Sequence, residues 1–191
     1  VTVSANSICV GSPVTFTAPA GYANYAWKIN GGVAFISSMT NIYSPLNLPA
    51  GNPVVTVDIA SSSNCVATLT APGVTVNTYP SGSLLVSENS GIASNDNIIC
   101  AGDRVYLSFD TGYANYNFKV NSTSIYSGTD PFFTTNVLVN GQTITVDVTG
   151  AGGCIKTFGP SVPISVKALP TGSVTATENS GTSDDNIICA N

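Results

Sequence analysis

Histidine is missing from all 191 residues. Its absence removes the commonest general base, the serine–histidine triad and most zinc-site chemistries. Charge is scarce as well. Only 8% of residues are Asp, Glu, Lys or Arg, less than a disordered chain carries. The five basic residues, Lys28, Arg104, Lys119, Lys156 and Lys167, are scattered, and the formal net charge is −5. A protein that neutralises phosphates needs the opposite balance, so nucleic acid and anionic membrane surfaces are excluded as partners. No apolar run reaches the ~18 residues of a membrane helix, so no membrane insertion is expected. The chain opens on Val1 without a basic leader segment. It therefore shows no signal-peptide pattern and reads as a piece cut from something longer. Cys9, Cys65, Cys100, Cys154 and Cys189 form no CxxC pair. With no histidine beside them they point to disulfides rather than a metal site, and so to an oxidising, extracellular setting.

What is present is Thr, Ser, Asn, Gly and Val, the composition of an all-β surface protein with short strands and polar turns. The chain also repeats itself. "CVGSPVTFTAPAGYANYAWKIN" from Cys9 aligns with "CAGDRVYLSFDTGYANYNFKVN" from Cys100, at a spacing of 91. "TVDIASSSNC", ending at Cys65, matches "TVDVTGAGGC", ending at Cys154, at a spacing of 89. "YPSGSLLVSENSG" from Tyr79 matches "LPTGSVTATENSG" from Leu169, at a spacing of 90. A period of about 90 residues is too long for a helical solenoid and suits an immunoglobulin-like sandwich.

Alternation locates the strands. Val14, Phe16 and Ala18 face one way, as do Val105, Leu107 and Phe109 in the second copy. Tyr25, Trp27 and Ile29 are matched by Tyr116, Phe118 and Val120. Val55, Val57 and Ile59 are matched by Ile144, Val146 and Val148. These rows are the expected sandwich core, with Trp27 and Phe118 as its central aromatics. Asn30-Gly31 turns one hairpin, and Pro72-Gly73 and Gly159-Pro160 interrupt the last strand of each copy. Tyr22 and Tyr113 each follow a loop glycine, which makes them the candidates for ligand contact.

The elements P-[ST]-G-S, ENSG, NIICAG, GYANYNFKVN, TVDV and GC, in this order, resemble the repeats of very large cell-surface adhesins of gliding Bacteroidetes, of the SprB type. The similarity spans the whole chain, and its pattern is shared with Ig-like and PKD-like repeats of exported proteins in that phylum. The resemblance implies tandem immunoglobulin-like (PKD-like) β-sandwich repeats and export by type IX secretion. It also implies a filament attached at the outer membrane and moved by a surface motor. One departure is plain: the first copy, "VTVSANSICVG", lacks the eight residues that correspond to 91–98 of the second.

Seven strands per sandwich put the start and finish of each unit at opposite ends. Five strands separate Cys9 from Cys65, which sets these two at opposite ends also, too far apart for a bridge. A frame in which the chain returns along 83–87 and delivers Cys100 beside Cys65 gives Cys65–Cys100 and Cys154–Cys189, each 35 residues apart. Its units are 10–100 and 101–191, with 1–9 as an end strand of a preceding repeat or the first strand of the first. The rival, in keeping with two cysteines per family repeat, is Cys9–Cys65 and Cys100–Cys154. The corresponding alternative frame is 1–80, 81–170 and 171–191, the last opening a third unit.

The loop written twice carries Glu88, Asn95 and Asp96 in one copy and Glu178, Asp184 and Asp185 in the other. These are hard oxygen donors near a unit boundary, and Ca2+ is the cation that such donors take. The plainer account is a solvated loop in which Asn and Gly supply turn geometry. Asn121-Ser122-Thr123 fits a glycosylation acceptor pattern at a hairpin turn. Two functions are expected to compete. One is a structural spacer, whose partners are neighbouring repeats in the same chain. The other is a module that grips surface polysaccharide through loop tyrosines such as Tyr22, Tyr25, Tyr113 and Tyr116. No catalytic constellation is legible, so an enzyme is not expected.

Overall fold

The computed structural model describes residues 1–33, 36–91, 93–177 and 188. Among them the chain is all-β, with one 3-10 turn at Ala151–Gly153. The part before Pro80 holds β1 (Thr2–Val3), β2 (Ser7–Cys9), β3 (Phe16–Thr17), β4 (Asn24–Ile29), β5 (Ile36–Ser38), β6 (Ile42–Tyr43), β7 (Val55–Ala60), β8 (Val66–Thr70) and β9 (Thr75–Asn77). The rest repeats the series as β10 (Leu85–Glu88), β11 (Ile98–Cys100), β12 (Val105–Ser108), β13 (Asn115–Val120), β14 (Thr123–Gly128), β15 (Phe132–Thr135), β16 (Ile144–Thr149), β17 (Ile155–Phe158) and β18 (Ser165–Lys167).

Each series folds into a two-layer immunoglobulin-like sandwich. In the first, the sheet β1-β3-β6 faces the sheet β5-β4-β7-β8. In the second, β10-β12-β15 faces β14-β13-β16-β17. Within these sheets all neighbours are antiparallel. A parallel pair, β2 with β9 and β11 with β18, closes the flank where each sandwich begins and finishes. The first and last strands are each broken in two, so β1 and β2 together do the work of one strand, as do β8 and β9. Pro72 lies in the second break, and with no N–H it cannot continue the β7–β8 ladder.

Period-two alternation fills the space between the layers. Val14, Phe16, Tyr25, Trp27, Val55, Val57, Ile59, Val74 and Val76 are buried together. Ile99, Val105, Leu107, Phe109, Tyr116, Phe118, Ile144, Val146, Val148 and Ile164 form a separate cluster. Trp27 and Phe118 have no exposed surface, and each stacks on an aromatic of the facing sheet, Tyr43 or Phe133. Burying a side chain of this size contributes roughly 2–3 kcal/mol. Core filling is thus the role of both.

The frame 10–100 is corrected by strand pairing. That frame has 83–87 return along the first sandwich, where the structure forms β10, Leu85–Glu88. It pairs instead with Val105–Ser108, and Leu84 and Val86 pack on the second core. Thr2–Val3 pairs with Phe16–Thr17, so the opening residues belong to the first core. The reason is the partner strand: beside Ser108–Val105, Val86 takes register with the buried Leu107 and covers the second core.

Candidate functional site at the junction of the two sandwiches

Three of the residues singled out from the sequence, Cys9, Tyr113 and Cys154, meet where one sandwich passes to the next. The chain leaves β9 at Asn77 and starts β10 at Leu85. Between them Pro80 is buried although it lies in a connection. A Cβ placed on Gly150 would come within 3.1 Å of the Pro80 ring, so the loop of the second sandwich presses on it. Ser81 is held from both sides by one hydroxyl. Its N–H donates to Tyr113 Oη at 3.0 Å, and Tyr113 Oη–H donates to the Ser81 carbonyl at 2.6 Å. Gly82, at φ +141°, lies against Phe109 and Asp110, and a Cβ there would fall 2.6 Å from Asp110 Oδ2. Only glycine combines that backbone angle with that approach. The connection is therefore held against the second sandwich at Pro80, Ser81 and Gly82 rather than left as a free tether.

A covalent bond spans the same junction. Cys9, at the end of β2, is joined to Cys154, which follows the Ala151–Gly153 turn between β16 and β17. Cys154 is buried. Gly152, at φ +63°, brings the turn onto the first sandwich: a Cβ there would meet Asn77 Nδ2 at 2.2 Å and Ser7 Oγ at 3.1 Å. Asn77 Nδ2–H in turn donates to Ser7 Oγ at 3.0 Å and to the Ile8 carbonyl at 3.2 Å. None of the expected pairings forms. Cys65 and Cys100 are free, which removes Cys65–Cys100 and Cys9–Cys65. Cys154 is engaged by Cys9, which removes Cys154–Cys189 and Cys100–Cys154. Cys189 lies outside the described residues. The physical reason is that Cys9 sits at the finishing end of its own sandwich, beside Asn77, while Cys65 sits at the β7–β8 turn at the other end. The nearest cysteine to Cys9 is then the one on the equivalent turn of the following unit. A sequence signal existed: "GAGGC" has three glycines where the first copy has "SSSNC", and glycine marks a close approach of another backbone.

The acidic loop is organised inward. Glu88 is 4% exposed. Its Oε1 accepts from Asp96 N–H at 2.9 Å and its Oε2 from Ser90 N–H at 2.8 Å. Asn95 Oδ1 accepts from Glu88 N–H, and Asp96 Oδ1 from Ile98 N–H. Asn95 and Asn97 take positive φ, which asparagine tolerates. These bonds close the loop on itself. Among the described residues no group of three or more acidic or sulfur ligands stands together. Glu178, Asp184 and Asp185 lie outside the described residues.

The tyrosines divide by role. Tyr25 and Tyr116 are buried, and each donates its hydroxyl to a carbonyl at the start of the preceding loop, Pro19 or Asp110, at 2.9 and 2.8 Å. Each also accepts from the loop N–H of Tyr22 or Tyr113. They fasten the loop and offer nothing outward. Tyr113, expected as a ligand contact, is half-buried and its hydroxyl is committed to Ser81. Tyr22 packs at right angles on the Tyr25 ring and, at 39% exposure, is the most exposed of the four.

A polar triad recurs on the outer face of each four-stranded sheet. Lys28 pairs with Asp58, which also accepts from Thr68 at 2.6 Å. Lys119 pairs with Asp147, which accepts from Thr157 at 2.7 Å. The Lys28 ammonium, then Thr68, hold the Asp58 carboxyl below the usual carboxylate range. At Asp147 burial pushes upward, but Lys119 and Thr157 together outweigh it and the result is again low.

No protein-family model matches the chain. No curated protein matches it. It is similar to solved structures. The fibronectin(III)-like modules of Clostridium thermocellum CbhA share 12% identity over 90% of this chain and 95% of that one, with a TM-score of 0.46. Murine CEACAM1b shares 11% over 88% and 98%, at 0.40. Bacteroides ovatus SGBP-B of the mixed-linkage glucan utilization locus, solved with a mixed-linkage heptasaccharide, shares 13% over 84% and 42%, at 0.32.

Proposed function

We propose that this chain is a stretch of spacer modules from the stalk of a very large exported surface adhesin, serving gliding motility and surface attachment. The repeating unit in this reading runs 1–80 and 81–170, and 171–191 opens a third. The setting is extracellular, because a cystine persists where thiols are oxidised. Among the described residues no helix is long and apolar enough to cross a membrane. The observation that carries the reading is the Cys9–Cys154 bond across a packed connection, which makes the junction stiff and ties two units into one load path.

The bond predicts a mechanical signature. Pulled from its two ends, the oxidised chain carries force from Cys9 directly to Cys154, so the 145 residues of separation stay hidden, about 500 Å of contour at ~3.5 Å per residue. Single-molecule pulling is expected to release that length only after reduction. Release of the full length by the oxidised chain defeats the reading.

A polysaccharide-gripping module is the second reading, and the exposed ring of Tyr22 is what favours it. A glycan array with wild type and Tyr22→Ala tests it: binding lost in the variant supports it, and no binding by wild type ends it.

A further inference from the structure

The two sandwiches each carry both halves of the junction, and only one half of each is used. Call the surface beside Cys9 a socket and the turn bearing Cys154 a plug. The second sandwich has its own socket. Ile98, Ile99 and Cys100 of β11 pair with Ser165, Val166 and Lys167 of β18, in the register of Ser7, Ile8 and Cys9 with Thr75, Val76 and Asn77. The backbone frame is the same at both cysteines. Val10 N–H donates to Asn77 O as Ala101 N–H donates to Lys167 O, at 2.9 and 2.8 Å. Ser12 N–H closes on Cys9 O as Asp103 N–H closes on Cys100 O. At the first socket the glycine turn is seated. At the second lies a pocket of about 230 Å³ lined by Gly91, Asp96, Ile98, Ile99, Cys100 and Lys167.

The first sandwich likewise has its own plug. Ser61 N–H donates to Cys65 O at 3.0 Å, as Gly150 N–H donates to Cys154 O at 2.8 Å. Asn64 takes φ +61° where Gly153 takes +77°. Cys65 is exposed and its thiol is free.

We propose that the Cys100 socket is the docking face for the cysteine-bearing turn of a further repeat, so that an array of these modules carries one cystine at every junction. Cys65 is the plug for the socket of a preceding repeat by the same rule. The occupant is another copy of this module, because the seated turn at Cys9 comes from one. The bond forms by thiol–disulfide exchange with a low-molecular-weight disulfide such as oxidised glutathione. The Cys100 thiolate attacks one sulfur and displaces a glutathione thiolate. The incoming cysteine's thiolate then attacks Cys100 sulfur in the mixed disulfide and displaces the second. Two protein thiols lose two protons and two electrons, and one glutathione disulfide becomes two thiols.

The inference rests on the array reading, and the two fail separately. The full chain is extended by a second copy of residues 103–170, so that 171–191 is followed by the body of a third unit. Both chains are incubated with oxidised glutathione, alkylated and mapped without reduction. The expected result is Cys9–Cys154 in both chains, Cys100 bonded in the extended chain to the appended copy of the Cys154 turn, and Cys65 alkylated throughout. Loss of Cys9–Cys154 from the unextended chain defeats the array reading and this inference with it. An intact Cys9–Cys154 with Cys100 alkylated, or bonded to Cys65 or Cys189, overturns this inference alone. Should the appended unit not fold, a peptide of residues 148–156, activated at its cysteine as a mixed disulfide, decides the matter on the unextended chain. Capture by Cys100 at least tenfold faster than by the more exposed Cys65 supports the socket, and a smaller or reversed preference overturns it.

Discussion

Cys9 and Cys154 are separated by 145 residues of chain and by 5.7 Å between Cα atoms. The bond therefore closes a loop that contains most of both sandwiches. Loop-closure entropy for such a span gives about 5 kcal/mol of stabilisation, the upper end for a single bridge. It acts on the two units jointly, so unfolding one does not release the other's tether. The packed connection at Pro80, Ser81 and Gly82 adds a non-covalent clamp over the same ground.

The clamp is testable at one atom. Tyr113→Phe removes a hydroxyl that makes two hydrogen bonds to the Ser81 backbone. The expected loss is about 1–2 kcal/mol by urea unfolding, with faster amide exchange at Ser81. Tyr22→Phe removes a hydroxyl from an exposed ring and is expected to change nothing measurable.

Ser122 holds φ +69° beside Asn121 at +45°, both in the left-handed region. The first copy has Asn30-Gly31 at the same turn, at φ +49° and +69°, and a Cβ on Gly31 would meet open space. The strain at Ser122 is thus conformational rather than steric contact. Ser122→Gly is expected to stabilise the second sandwich by about 0.5–1 kcal/mol, read as a higher urea midpoint.

Glu88 answers two amide donors with two oxygens. Glu88→Gln keeps one acceptor and turns an NH2 toward the other N–H, at a cost of roughly 1–3 kcal/mol. Because those oxygens serve the loop itself, the loss is expected to be equal with calcium and with a chelator. A cost that appears only in calcium would give the loop a metal role.

Asp58 and Asp147 both have folded pKa values held low by a lysine and a threonine. The sign follows from linkage: a depressed carboxylate stabilises the fold fully above its unfolded pKa, about 3.9, and that contribution is lost as pH falls through the lower folded value. The melting midpoint is expected to be flat down to about pH 4 on this account, then to fall. The double variant Asp58→Asn, Asp147→Asn should start lower at neutral pH and fall less below pH 4.

Trp27 shows how far alternation reaches and where it stops. Its burial and that of Phe118 follow from period-two rows alone, because a strand's successive side chains must face opposite sides. Its indole Nε1 is buried without a hydrogen-bond partner among the described residues, which no pattern foretells. The acidic loop was legible as a loop, from Asn and Gly, but the inward turn of Glu88 was not. Carboxylate composition is the same whether oxygens meet amides or a cation. The unit boundary was misplaced for a related reason: residues 83–88 alternate correctly for either sandwich, and only the available partner strand selects one.

The amino-acid order by itself determined an all-β chain, its immunoglobulin-like period and the side chains that fill each core, because strand alternation and turn residues act over a few neighbours. Which cysteine meets which, what Tyr113 holds and where one unit yields to the next were decided only in three dimensions. Those depend on which end of one sandwich abuts which end of the other, a relation between residues 32 positions apart at Tyr113 and Ser81 and 145 apart at Cys9 and Cys154, which local pattern does not encode.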